Sequence, residues 1–192
     1  MAITIMLNPG HGSTGSKSLY AENANIQNLV IPNSFSDPGA CGNGLQEAER
    51  AAFVGKLVAK YLLNVGYNVI LYQYDGLSDI TNKANASNID LFVSIHCNAA
   101  NGQAQGTETY SYYGSTKGAR LASCIHNQIK SSLQIVNRGT KEAGFYVIKH
   151  TNVPAVLTEL AFIDHPYDAS LLQNKADDFA RAIARGITDY FA

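Results

Sequence analysis

The sequence predicts a single α/β domain built on a mostly parallel, twisted six-stranded sheet with helices on both faces. Three observations predict it. Short β-branched runs alternate with helix-length amphipathic stretches, the mark of a parallel sheet covered by helices. The chain has 192 residues, close to the length of one compact unit. Hydrophobic residues make up 46% and charged residues 15%, enough to fill an interior and without the composition of a disordered chain.

Strands are predicted at residues 3–8, 68–72, 91–96, 107–112, 145–148 and 155–160. The first carries Ile3-Thr4-Ile5-Met6-Leu7, which lacks the basic flank and small-residue cleavage site of a secretory leader and runs straight into a glycine-rich segment. A helix at 47–64 aligns Ala51, Val54, Val58 and Tyr61 on one stripe and stops at Gly66. Others are predicted at 77–88, 116–133 and 175–190, the last with Ala176, Phe179, Ile183, Ile187 and Tyr190 facing inward. From residue 12 to 43 the chain is rich in Gly, Ser, Asn and Pro, with Leu29-Val30-Ile31 as its one apolar patch. It reads as a long functional loop near the site.

Bulk charge excludes some functions. With 14 Lys+Arg against 15 Asp+Glu the net charge is -1, too balanced for a protein that grips a phosphate backbone, so no nucleic acid partner is expected. No stretch approaches the roughly 18 apolar residues of a membrane span, so no membrane insertion is expected either. Cys41, Cys97 and Cys124 are odd in number and form no Cys-x-x-Cys pair; they read as reduced, structural thiols.

Ligands of open α/β sheets gather beyond the carboxyl ends of the strands. There the chain places Asn8-Pro9-Gly10-His11-Gly12, Ser94-Ile95-His96-Cys97-Asn98 and Leu157-Thr158-Glu159-Leu160, so two imidazoles and a carboxylate converge on one edge. Catalytic zinc takes three protein ligands and leaves a position for water. Glu47 and Glu49 are the candidates for the third, because they open a helix whose amino end belongs at the same edge. Each residue also has a plain structural role open to it. His11 can fill a turn, His96 can be a hydrogen-bonded core histidine, and Glu47 and Glu49 suit the first turn of any helix. Glu159 resists such a reading, since a carboxylate directly after Val156 and Leu157 is costly to bury uncompensated. Cys97 neighbours His96 but alternation turns it to the other face. His126, His150 and His165 read as surface or capping residues, with His150 the best outsider.

At these motifs the chain resembles the zinc-dependent N-acetylmuramoyl-L-alanine amidases often called amidase 3. Asn8-Pro9-Gly10-His11-Gly12, then Asp37-Pro38-Gly39-Ala40 with Gly44-Leu45-Gln46-Glu47, then Ser94-Ile95-His96-Cys97-Asn98-Ala99 resemble its first three motifs in order. Arg138-Gly139-Thr140-Lys141 leading to Phe145-Tyr146-Val147-Ile148, and Pro154-Ala155-Val156-Leu157-Thr158-Glu159, resemble its last two, so the likeness covers nearly the whole of residues 1–192. The resemblance implies one zinc ion on His11, Glu47 and His96, which settles Glu47 over Glu49. It also implies Glu159 as general base and peptidoglycan as substrate, cut between N-acetylmuramic acid and L-alanine. Asn8 stands where an aspartate is common, which bears on the support of His11, and residues 12–36 form a longer loop than in compact members. Asn98, Arg138 and Lys141 are candidate substrate contacts, the two cations for carboxylates of the stem peptide.

The rivals are a zinc carboxypeptidase and a wall-binding module without activity. The first usually has a glutamate three positions after its first histidine, where this chain has Thr14; the second has no need of all four site residues. A monomer acting on the bacterial cell wall is expected, either a phage or prophage lysin released through a holin or the catalytic piece of a secreted autolysin.

Overall fold

The computed structural model describes residues 2–15 and 18–192. Its sheet has seven strands, in the order β2-β5-β1-β6-β9-β7-β8. These are β1 (Thr4–Pro9), β2 (Leu19–Glu22), β5 (Asn68–Gln73), β6 (Leu91–Asn98), β7 (Thr107–Ser111), β8 (Asn137–Glu142) and β9 (Ala155–Phe162). A two-stranded ribbon, β3 (Cys41–Gly42) and β4 (Leu45–Gln46), leads into α1 (Glu47–Val65). The other helices are α2 (Leu77–Ala86), α3 (Thr116–Ser132), α4 (Tyr146–Lys149), α5 (Pro166–Asn174) and α6 (Ala176–Phe191). The centre is parallel, with β1 between β5 and β6 and β6 beside β9. Both flanks reverse: β2 runs against β5, and β7 runs against β9 while lying parallel to β8.

Alternation divides each central strand between two layers. Ile5, Leu7, Val93 and Ile95 face a large core shared with α1, α3 and α6, and Met6, Phe92 and Leu157 face a smaller one with α2 and α4. Because both faces are covered, these strands read as unbroken apolar runs. Helix α1 ends at Gly66, in the left-handed conformation that closes a helix without a β-carbon penalty.

Two expectations need correction. Residues 145–148 form no strand: Tyr146–Lys149 make one helical turn, with Val147 and Ile148 buried in the smaller core and Phe145 and Tyr146 exposed. The sheet has seven strands because β2 and β8 join the five predicted correctly. Nor is the segment 12–43 one open loop. Leu19 and Ala21 of β2 point into the large core, a 3-10 turn at Asn23–Asn28 adds Ile26, and Val69 N–H donates to Asn23 Oδ1 at 2.8 Å.

Candidate active site

The site is built where β1, β6 and β9 end. After Pro9 the chain passes over the His96 ring so closely that a β-carbon at Gly10 would lie 2.2 Å from His96 Cε1. His11 then takes a φ of 58°, a left-handed conformation that costs a non-glycine residue on the order of 1–3 kcal/mol and persists only where the surroundings fix it. Two reciprocal backbone hydrogen bonds between Gly12 and Asp37, at 2.9 and 2.8 Å, fix it here. Buried Gln73, the last residue of β5, adds Nε2 bonds to the carbonyls of Gly10 and Ala48 at 3.1 and 2.9 Å.

Glu47 is the hub. The β3–β4 ribbon delivers it as the first residue of α1, and its carboxylate accepts from the N–H groups of Ala40 at 2.9 Å and Cys97 at 3.0 Å. Its Oε2 lies 3.1 Å from His11 Nε2 and its Oε1 2.9 Å from His96 Nδ1. One ligand atom from each of His11, Glu47 and His96 lies within 4.8 Å of the other two. Gly39, at a φ of 66°, leaves the room, since a β-carbon there would sit 2.5 Å from His11 Cδ2 and 2.7 Å from Glu47 Oε2.

The far side of each ring is held as well. His11 Nδ1 is 2.7 Å from Asp37 Oδ2. His96 Nε2 is 3.1 Å from Ser94 Oγ, which donates to Asn8 Oδ1 at 2.9 Å, and Asn8 Nδ2 donates to the Tyr72 carbonyl at 2.9 Å. Asn8 therefore bears on His96 through Ser94, and Asp37 supports His11, which corrects the expectation drawn from the sequence. With a proton on each outer nitrogen, the inner nitrogens are the positions from which the two rings would offer lone pairs to an ion shared with Glu47. Two such imidazoles and a carboxylate suit a divalent ion of the zinc type.

Charge follows the geometry. Burial works against ionisation of Glu47, but the hydrogen bonds from His11 and His96 prevail and hold its carboxyl far below the usual range. The bond to Glu47 is the main cause that pushes His11 up to about 9, against burial and with help from Asp37. Glu159 pairs with His96 across β6 and β9. Burial pushes its carboxyl up to about 7; His96 pulls it down, and Glu47 and Glu108 push it further up. Its Oε2 is buried without a hydrogen-bond partner, a state that native proteins rarely leave unmatched without reason. A cavity of about 350 Å³ opens beside His11 and His96, walled by Tyr74, Leu77, Phe145 and Tyr146.

The remaining candidates fall elsewhere. Asn98, Arg138 and Lys141 all turn to Glu108, a residue the sequence did not single out. Glu49 pairs with Arg50 at 2.7 Å and stays out of the cluster. Cys97 is buried in the large core. His126, expected near the surface, is buried between Thr109 and Asn137. His150 stacks on Tyr146 at the end of α4, and His165 precedes α5.

An α/β sheet whose edge combines a His, Glu, His cluster with a buried carboxylate defines a hydrolase able to hold a metal ion. The comparison with known sequences gives the family. Residues 5–189 match the family described as N-acetylmuramoyl-L-alanine amidase, and the chain belongs to it. It is 43% identical to the uncharacterized protein YqiI of Bacillus subtilis, over 81% of this chain and 79% of that one. It is 34% identical to the N-acetylmuramoyl-L-alanine amidase LytC of B. subtilis, over 98% of this chain but 35% of LytC. It is 36% identical to the endolysin of Bacillus phage SPP1, over 78% of this chain and 58% of that one. The solved structure of the amidase AmiC2 of Nostoc punctiforme superposes with a TM-score of 0.82 at 29% identity, covering 98% of this chain and 97% of that one.

Proposed function

We propose that residues 1–192 form a catalytic domain that hydrolyses the amide between N-acetylmuramic acid and the L-alanine of the stem peptide. One zinc ion is held by His11, Glu47 and His96, and Glu159 is the general base. The observation that carries this reading is the convergence of three ligand atoms within 4.8 Å of one another, next to a carboxylate with an unpartnered oxygen.

When bound, the ion supplies a water acidified toward neutral pH and polarises the carbonyl under attack. The protein's own groups handle the rest. Asp37 and Ser94 fix the outer protons of the two rings and so aim the inner lone pairs. Glu159, with its carboxyl near 7, is poised to take a proton from the attacking water and to return it to the departing nitrogen. Its buried Oε2 is the acceptor with no competing donor. Tyr74, Leu77 and Tyr146 line the neighbouring cavity and give the substrate an apolar wall beside His11 and His96.

The partner is the peptidoglycan of a bacterial wall, met either as a phage lysin or as an autolysin domain, and the chain acts as a monomer. Among the described residues no helix is long and apolar enough to cross a membrane. Mass spectrometry of digested peptidoglycan tests the reaction. It should find intact glycan and free stem peptides beginning with alanine, released only while metal is present. Cleavage within the glycan or between stem residues would overturn it.

A further inference from the structure

Glu108 is 3% exposed yet ionised, with its carboxyl drawn down to about 2: burial opposes this, and hydrogen bonds from Lys141, Tyr110 and Arg138 outweigh burial. Its Oε1 accepts from Asn98 Nδ2 at 2.8 Å and Tyr110 Oη at 2.6 Å, and its Oε2 accepts from Arg138 Nε at 2.8 Å and from Lys141 Nζ. Two cations share one carboxylate, so the cluster keeps a net positive charge. Arg138 spends only Nε on Glu108 and lays its guanidinium 4.9 Å from the Phe162 ring centre. Among the described residues neither of its Nη groups has a hydrogen-bond partner, and the side chain remains 35% exposed. That leaves a planar two-pronged donor, locked on one edge and one face and open at its end, the geometry that grips a carboxylate through two parallel bonds.

The sheet sets where this fork stands. Glu108 is paired with Glu159 across β7 and β9, and β8 is the next strand out, with a register shift that lets Arg138 reach Glu108. Two strand spacings separate β8 from β9, roughly 10 Å. Extended peptide covers that in about three residues.

We propose that Arg138, positioned by Glu108 and assisted by Lys141, is the subsite for a free carboxylate on the second or third residue of the stem peptide. This inference rests on the amidase reading above. It makes the enzyme selective for acid over amide at one of those positions, since a primary amide carries no charge and replaces one of the two acceptor oxygens with a donor NH₂, so it cannot take two parallel bonds from the fork.

Soluble muropeptides with free acids, with an amide at the second residue, or with an amide at the third, test it in paired measurements of turnover and of calorimetric binding to the zinc-loaded protein. Amidation at one position should raise KM and weaken binding about ten- to a hundredfold, with a smaller effect on kcat. Arg138→Ala should erase that ratio, Arg138→Lys should restore part of it, and Glu108→Gln should reduce it. A purely structural ion network would lower the melting temperature in these variants and leave the acid to amide ratio unmoved. Equal turnover of all three substrates, or a ratio that survives in Arg138→Ala, would overturn the subsite. Failure to cut any substrate would tell against the amidase reading, and the binding ratio would still decide the subsite.

Discussion

Replacing Asp37 with asparagine isolates one carboxylate oxygen. In the native site two donors meet that carboxylate: Gly39 N–H reaches Oδ1 at 3.1 Å and His11 Nδ1–H reaches Oδ2 at 2.7 Å. Asparagine offers one oxygen for both, while the residue's backbone stays pinned to Gly12 by two hydrogen bonds, so the change stays local. If Gly39 keeps the oxygen, the amide NH₂ faces His11 Nδ1, which must then accept. The ring proton moves to Nε2, the atom aimed at Glu47 and at the proposed zinc. Loss of such a supporting partner costs about ten- to a hundredfold in metal affinity, or about 1.4–2.7 kcal/mol. Asp37→Ala should bind zinc more tightly than Asp37→Asn, because water can accept the Nδ1 proton where an amide NH₂ cannot. Competition against a chromophoric chelator measures both variants. Native affinity in Asp37→Asn, or an alanine variant weaker than the asparagine one, would refute the tautomer reasoning.

Glu159→Gln should retain zinc while kcat falls by about 10²–10⁴, and His96→Ala should lose both metal and turnover; metal analysis beside peptide release separates the two. Gly10→Ala drives a methyl group into the His96 ring, 2.2 Å from Cε1, so zinc affinity should drop at least about tenfold alongside roughly 1–3 kcal/mol of stability, read by chelator competition and urea unfolding. Glu108 has a folded pKa of about 2 against about 4.3 when unfolded, so its contribution is complete above the higher value and vanishes as pH falls through the lower one. The stability gap between the native chain and Glu108→Gln should therefore narrow between about pH 5 and 2, and a constant gap across that range would contradict the ionised, paired state of Glu108.

Much of the fold was legible because the central strands are apolar on both faces and the long helices carry clear stripes. Residues 145–148 misled because four apolar positions are too few to tell a strand from one helical turn. Strand β8, Asn-Arg-Gly-Thr-Lys-Glu, was invisible because an edge strand of polar residues has no apolar period to detect. The convergence of the candidate residues was legible for a topological reason: β1, β6 and β9 are parallel, so their carboxyl ends share an edge, and His11, His96 and Glu159 lie there. The same rule hid Glu108 and gave no place in the fold for Arg138. Strands β7 and β8 run the other way, and each brings its second residue, not its last, to that edge. Asp37 was quoted within a motif without a role, since nothing local announces that it meets a histidine 26 positions earlier.

The short strand β2 also has a protective consequence. It pairs along Ile70 to Gln73 of β5, which would otherwise form the rim of the sheet, and it plugs Leu19 and Ala21 into the interior. Trimming residues 19–31 to make a more compact enzyme would uncover a row of unmatched amides and carbonyls beside an apolar surface. Such a rim recruits a second copy of itself, so the trimmed chain would trade solubility for brevity even with every catalytic atom in place.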